Sequence, residues 1–276
     1  MISPGLKSLA RLPLDVYRIG RFDLPSPMRR DIARTLIRLE LSPHLPNPVP
    51  MMGYNVSYFQ AHRLEYLFRE IYVGLSYLFH TDNSSPVIFD CGSNIGMSVL
   101  FFKTLYPQAR IWAFEPDPAT FEVLTSNVAQ NALQDVTLCH CALGDSDGLA
   151  DFFTDQDDAG SLLMSVKQER MDGERISVPS HRLSTFITED VDLLKIDVEG
   201  AEETVLPELA ESGKLSLVKQ IHLEYHHHIM PNEDRLSSML QLLESNGFGY
   251  QLVTRSNDWP SPRIFQDVSI YCYRKA

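Results

Sequence analysis

Nowhere does this chain carry an apolar run long enough to cross a bilayer, which takes about 20 residues. Its first fifteen residues interleave Pro, Lys, Arg and Asp where a secretory leader needs an apolar centre. Neither a membrane span nor a leader is expected. Cysteine is scarce: Cys91, Cys139, Cys141 and Cys272 are the four present, and no CxxC spacing joins them. That leaves no disulfide scaffold and no cysteine-rich zinc site. Three of the four fall in strand-like runs, where a free thiol serves as small apolar filler, so a reduced, cytoplasmic setting is expected. Positive charge is also short. Against 24 Lys and Arg stand 36 Asp and Glu, a net charge of −12, the wrong sign for a phosphate backbone. No nucleic-acid partner is expected, although Arg29, Arg30, Arg34 and Arg38 form one local basic stripe. Internal repeats and low-complexity tracts are missing too.

What is present is an ordinary globular composition, 44% hydrophobic over 276 residues, arranged around one stretch: Val87-Ile-Phe-Asp90-Cys-Gly92-Ser-Asn94-Ile-Gly96. An apolar run ends in an acid, two glycines bracket a small polar turn through Ser93 and Asn94, and a helical pattern (Met97, Leu100, Phe101, Leu105) begins at once. That order builds a nucleotide-type site at the carboxyl end of a parallel strand. Gly92 and Gly96 permit positive φ or a close backbone approach, and the following helix aims free N–H groups into the turn. The spacing is GxxxG, not the GxGxxG of a pyrophosphate turn. Asp90 beside it suits a ligand ammonium.

Residues 27–41 read as a helix, Pro43–Pro50 as an extended linker, and 57–79 as an aromatic-rich helix that either packs in the core or forms a lid over the sheet edge. From 87 onward strand and helix alternate. Strands are expected at 87–91, 111–114, 136–141, 193–196 and 218–225, with an antiparallel pair at 250–253 and 268–273. An inserted hairpin interrupts at about 145–180, its tip near Asp157–Met164. This alternation predicts an α/β fold, a doubly wound, mostly parallel sheet with helices on both faces. The domain reading is a helical N-terminal extension or lid at 1–80 and a cofactor-binding domain at 81–276.

Acids recur at the strand ends. Glu115, followed by Pro116, lies twenty-five residues after Asp90, where a carboxylate accepts both ribose hydroxyls of a nucleoside. Ala142 and Leu143, at the end of the third strand, would flank its base. The fourth strand runs Lys195-Ile-Asp197-Val-Glu199, with Asp197 at the carboxyl end and Lys195 in need of a partner. Glu199 and Glu202 fall in the next helix's first turn, where acids suit the dipole. In the fifth strand Glu224 and His226 share a face beside Asp197. These three could work as an oriented base, His226 taking a proton, or hold a divalent cation such as Mg through oxygen and imidazole.

Asp90-Cys-Gly-Ser-Asn-Ile-Gly96, Phe114-Glu-Pro116, Ala142-Leu-Gly144, Asp158-Ala-Gly-Ser-Leu162 and Leu194-Lys-Ile-Asp-Val-Glu-Gly-Ala-Glu202 together resemble the FkbM family of S-adenosylmethionine (SAM) methyltransferases. The likeness covers about 70–255, and the last block is its most specific part. It implies a seven-stranded, Rossmann-like class I methyltransferase sheet, SAM as methyl donor, and hydroxyl acceptors on small molecules such as polyketides or sugars. It implies that the first block holds the methionine end of SAM, Glu115 its ribose, and Asp197 the junction of cofactor and acceptor, with Tyr77 against the SAM carboxylate. The helix after Glu202 departs from the pattern at Leu206-Pro-Glu-Leu. The reading is therefore a SAM-dependent O-methyltransferase. Its rivals are a nicotinamide-dependent oxidoreductase, disfavoured because Asp90 would repel pyrophosphate, and a non-catalytic SAM-binding protein. The aromatic N-terminal helices could form a homodimer surface.

Overall fold

The structure is a computed structural model and describes residues 15, 17, 20, 24–42, 44–154, 160–161, 164–169, 173–230, 233–254 and 265–275. Helix α1 (Ser26–Leu41) buries a stripe of Met28, Ile32, Thr35, Leu36 and Leu39, the three-to-four spacing of an amphipathic helix. The expected linker ends differently. Val49–Met51 is a strand, β1, which pairs antiparallel with β2 (Tyr54–Val56) across Met52 and Gly53, both at positive φ. Such a two-residue turn matches strand twist, and Pro50 is tolerated because a two-stranded ribbon leaves its nitrogen facing outward. Helix α2 (Ala61–Phe68) passes into one π-helical turn, Arg69–Val73, and stops at Gly74. The helical stretch is thus shorter than the predicted 57–79.

The main sheet has seven strands: β3 (Val87–Cys91), β4 (Arg110–Phe114), β5 (Val136–Cys139), β9 (Leu193–Ile196), β10 (Gln220–His227), β11 (Phe248–Thr254) and β12 (Gln266–Arg274), in the order β11-β12-β10-β9-β3-β4-β5. The ladder from β10 to β5 is parallel; β12 runs antiparallel to β10 and to β11. Helices α3 (Met97–Leu105), α4 (Pro118–Gln130), α5 (Glu202–Glu211) and α6 (Leu236–Ser245) provide the crossovers. Two apolar cores result. One joins α1, α2 and α3 to Ile88, Ile111 and Ala113. The other joins α5 and α6 to Phe89, Leu194, Leu223 and Ile270. Alternate residues of each strand feed opposite faces, as the pleat requires. Leu206 and Leu209, around the unexpected Pro207, are fully buried in the second core.

The third strand departs from its prediction. β5 ends at Cys139, and Ala142–Gly144 is a separate strand, β6, in a second sheet of order β6-β8-β7, with β7 at Gly148–Thr154 and β8 at Glu174–Arg182. The Cys141 N–H turns back to Cys139 O at 3.1 Å, and the outward His140 ring stacks on Phe121, which together redirect the chain. β7 and β8 are the two arms of the expected inserted hairpin; most of its tip lies outside the described residues. Among the described residues no helix is long and apolar enough to cross a membrane.

Candidate functional site

One cavity of about 770 Å³ opens at the carboxyl ends of β3, β4, β9 and β10 and is walled by α2, the π-helical turn and the inserted sheet. Tyr77, Gly92, Ser93, Asn94, Glu115, Pro116, Ala142, Leu143, Asp197, Glu224 and His226 all face it. Asp90 and Gly96 do not. Asp90 is completely buried behind the turn, accepting the Ser98 hydroxyl at 2.5 Å and pairing with Lys195 Nζ at 3.2 Å, so it is not placed to meet a ligand ammonium directly. The register dictates this, since Asp90 and Lys195 are direct partners across β3 and β9. Gly96 (φ +90) starts α3, and a Cβ there would lie 2.7 Å from Leu124.

Gly92 is the tighter constraint. At φ +82, a Cβ would sit 1.8 Å from the backbone oxygen of Asp197. Only glycine lets the β3 turn lie against the end of β9. Lys195 fastens the same junction from beneath: its ammonium donates to Gly92 O at 2.5 Å and lies 3.5 Å from Asp197 Oδ2. Burial would lower its pKa, but the Asp90 and Asp197 carboxylates outweigh that and hold it above its ordinary value. The Tyr77 hydroxyl donates to Asp197 Oδ2 at 3.1 Å, and burial, then Asp197, push its pKa well up.

Glu115 takes the Asn94 N–H at 2.9 Å on one oxygen and the Asp117 N–H at 2.9 Å on the other. Each oxygen keeps a further lone pair, and the side chain lines the cavity. Burial pushes its carboxyl up to about 8, the two backbone donors opposing.

The second polar centre is His226. Its Nδ1 lies 2.8 Å from Glu202 Oε1, and its Nε2 lies 3.2 Å from Glu199 Oε2 and 3.9 Å from Asp197 Oδ1. Burial would lower its pKa, but Glu202 and then Glu199 outweigh it and raise it well above the ordinary histidine value. Glu224 is pushed well up by burial and then by Asp197 and Glu70. Glu202 does stand in the first turn of α5, as its dipole role requires, yet it also gathers the Val198 and Gly200 N–H groups and His226. Sequence reasoning omitted Glu202, Glu199 and Asp267 from the site. Asp267 is the antiparallel register partner of His226; the β11–β12 pair was predicted, but not that β12 also pairs with β10. Two sets, Asp197 with Glu199 and His226, and Glu224 with His226 and Asp267, each bring their donor atoms within 4.8 Å of one another, oxygen and imidazole donors that suit a divalent ion.

A glycine turn after the first parallel strand, an acid after the second and a polar cluster after the fourth and fifth define a nucleoside-cofactor enzyme of the class I methyltransferase type. The chain belongs to the FkbM methyltransferase family: the family model described as "Methyltransferase FkbM domain" matches residues 90–250. Its methyl donor is accordingly SAM. It is 31% identical over 222 residues to "Methyltransferase 1" of Beauveria bassiana, covering 73% of this chain and 86% of that one. It is 30% identical over 237 residues to "31-O-demethyl-FK506 methyltransferase FkbM" of Streptomyces tacrolimicus, covering 74% and 87%. With "2-O-methyltransferase NoeI" of Sinorhizobium fredii it shares 32% over 164 residues, 52% of this chain and 65% of that one.

Proposed function

We propose that this methyltransferase acts on a hydroxyl group of a small molecule, with the cofactor held by the glycine turn and Glu115 and the acceptor held near His226. The residues fit that cofactor. Gly92 lets the β3 turn lie close against β9 and line the cavity, and Glu115, which also lines it, keeps acceptor capacity for the ribose hydroxyls. Ser93, Asn94 and Tyr77 flank the place assigned to the methionine end; Pro116, Ala142 and Leu143 line the place assigned to the base. When bound, SAM supplies an activated methyl group: the acceptor oxygen bonds that carbon as its C–S bond breaks, and the electron pair stays on sulfur.

The observation that carries the proposal is His226, buried between carboxylates and facing the same cavity as the glycine turn. An alcohol oxygen is a weak nucleophile at neutral pH and gains from a base that removes its proton as it reacts. In this reading Nε2 of His226 takes the hydroxyl proton, Glu199 and Glu202 stabilise the resulting imidazolium, and Asp197 and Glu224 position the hydroxyl. His226 must be neutral to act, so the rate should rise with pH through its raised pKa. The face of α2 and the π-helical turn that carries His62, Arg63, Tyr66 and Glu70 would be the acceptor wall, a lid-like part of the N-terminal segment. The relatives named for 31-O and 2-O methylation support an oxygen acceptor. The net charge of −12 favours a small acceptor over nucleic acid.

A second reading uses a divalent cation on the same oxygens to lower the hydroxyl's pKa, favoured by the clustering of donor atoms around His226. Turnover of SAM over a panel of hydroxylated acceptors, followed by mass spectrometry of the product, tests the proposal. The base reading predicts that His226→Ala loses on the order of 10²–10⁴-fold in kcat with little change in KM for SAM, and that EDTA has no effect. A rate abolished by EDTA and restored by Mg²⁺ would move the assignment to the cation. Methylation confined to amines across the panel would overturn the hydroxyl assignment.

A further inference from the structure

The role proposed for His226 requires its lone pair to face the cavity, and nothing in the imidazole itself decides which nitrogen that is. We infer that Glu202 is a positioning residue: it holds the Nδ1 proton of His226, so that Nε2 is the nitrogen offered to the acceptor hydroxyl. This rests on the base reading above for its consequence, but its geometry stands on its own.

The Glu202 carboxylate is 1% exposed on its side chain and His226 is 2% exposed. Oε1 of Glu202 accepts the Gly200 N–H at 3.1 Å and the Val198 N–H at 3.3 Å, and lies 2.8 Å from Nδ1. Two backbone donors and no outward path fix the carboxylate in place. An ionised carboxylate only accepts hydrogen bonds, so the nitrogen facing it must carry the hydrogen. The same rule puts a hydrogen on Nε2 while the ring is charged, since Glu199 Oε2 lies 3.2 Å away and Asp197 Oδ1 3.9 Å. When one proton leaves, Glu202, closer and 1% exposed against 21% for Glu199, keeps the Nδ1–H, and Nε2 on the cavity side is the nitrogen that gives its proton up.

Glu202, unlike the other described acids that face His226, is turned away from the cavity. Those facing His226 from the elements packed against it are Asp197 and Glu199 between β9 and α5, Glu224 on β10 itself and Asp267 on β12, with Glu70 of the π-helical turn beyond. These share the cavity wall with His226, whereas Glu202 does not appear among its lining residues. It therefore touches neither cofactor nor acceptor and acts through the imidazole. The proton ledger is short. The acceptor O–H proton goes to Nε2 as the oxygen is methylated, Nδ1–H stays with Glu202 throughout, and the Nε2 proton leaves to water after product release.

The test is ¹⁵N NMR of histidine-labelled full-length protein, with the His226 signals assigned by their loss in His226→Gln, together with steady-state kinetics. In the wild type Nδ1 is expected to keep its proton across the whole titration while Nε2 alone titrates. In Glu202→Gln the Nδ1 signal moves toward a mixture of tautomers and kcat falls at least tenfold, while KM for SAM and affinity for S-adenosylhomocysteine (SAH) stay within twofold; Glu202→Asp, which keeps the charge, restores part of kcat. An Nδ1 without a proton in the wild type overturns the inference whatever the variants do. So does a Glu202→Gln enzyme with unchanged signals and unchanged kcat. Should His226→Ala keep full activity while the wild-type Nδ1 stays protonated, the base reading falls and the tautomer assignment survives.

Discussion

Glu115 shows how one side chain can link cofactor affinity to pH. Its carboxyl is raised to about 8 by burial, whereas the unfolded carboxyl ionises near 4.5. Between those values the folded state holds the extra proton, so this group removes stability from the ligand-free protein as pH rises from about 4.5 to about 8. Ribose hydroxyls donate to the ionised form, so binding releases that proton. SAH affinity should therefore rise with pH up to about 8 and then level off; calorimetric titrations between pH 6 and 9 measure it, and a flat profile contradicts it. Glu115→Gln should remove the slope and cost at least tenfold in affinity, the loss of about one charged hydrogen bond. Gly92→Ala belongs at this scale too. The Cβ collides with the Asp197 carbonyl, and the left-handed φ adds strain, so a loss of about 3 kcal/mol is expected. That is a fall in Tm of roughly 6–12 °C by calorimetry.

Among the elements, the segment from β3 to α3 was the most legible in the sequence, because a buried strand, a two-glycine turn and a helical period follow one another within about twenty residues, and each is a local signal. The same holds for Asp197, Glu224 and His226, whose parity along their strands placed them on one cavity. What the sequence withheld was long-range. Glu202 meets His226 across 24 positions, Asp267 joins through a register that only the folded β10–β12 pair defines, and Asp90 turned inward because Lys195 lies opposite it. β6 left the main sheet for the same kind of reason: its apolar pattern suits either sheet, and only β8 as a partner decides between them. The π-helical turn gives an element-scale prediction. Arg69 ties Asp15, Glu40 on α1 and Glu65 on α2 together while the next residues, Glu70 and Ile71, line the cavity. Arg69→Met leaves Glu40, 1% exposed, without its cation and should cost about 3 kcal/mol, read as a lower Tm.

At the scale of the whole molecule, the cavity joins everything: its walls come from the N-terminal segment, the inserted sheet and the carboxyl edge of the main sheet. A ligand filling it binds the folded state alone, so SAH at about 100 times its Kd should stabilise the protein by about 2.7 kcal/mol, a rise in Tm of roughly 5–10 °C; NADH at the same concentration should leave Tm unchanged. The most direct measurement of the central claim is a crystal structure with SAH bound. The account predicts the ribose hydroxyls within about 3 Å of the Glu115 carboxylate, the backbone of Gly92 against the amino-acid tail, and the sulfur on the side of Asp197 and His226. A nucleoside seated away from Glu115, or a sulfur turned from His226 with the adenine in its place, would contradict it.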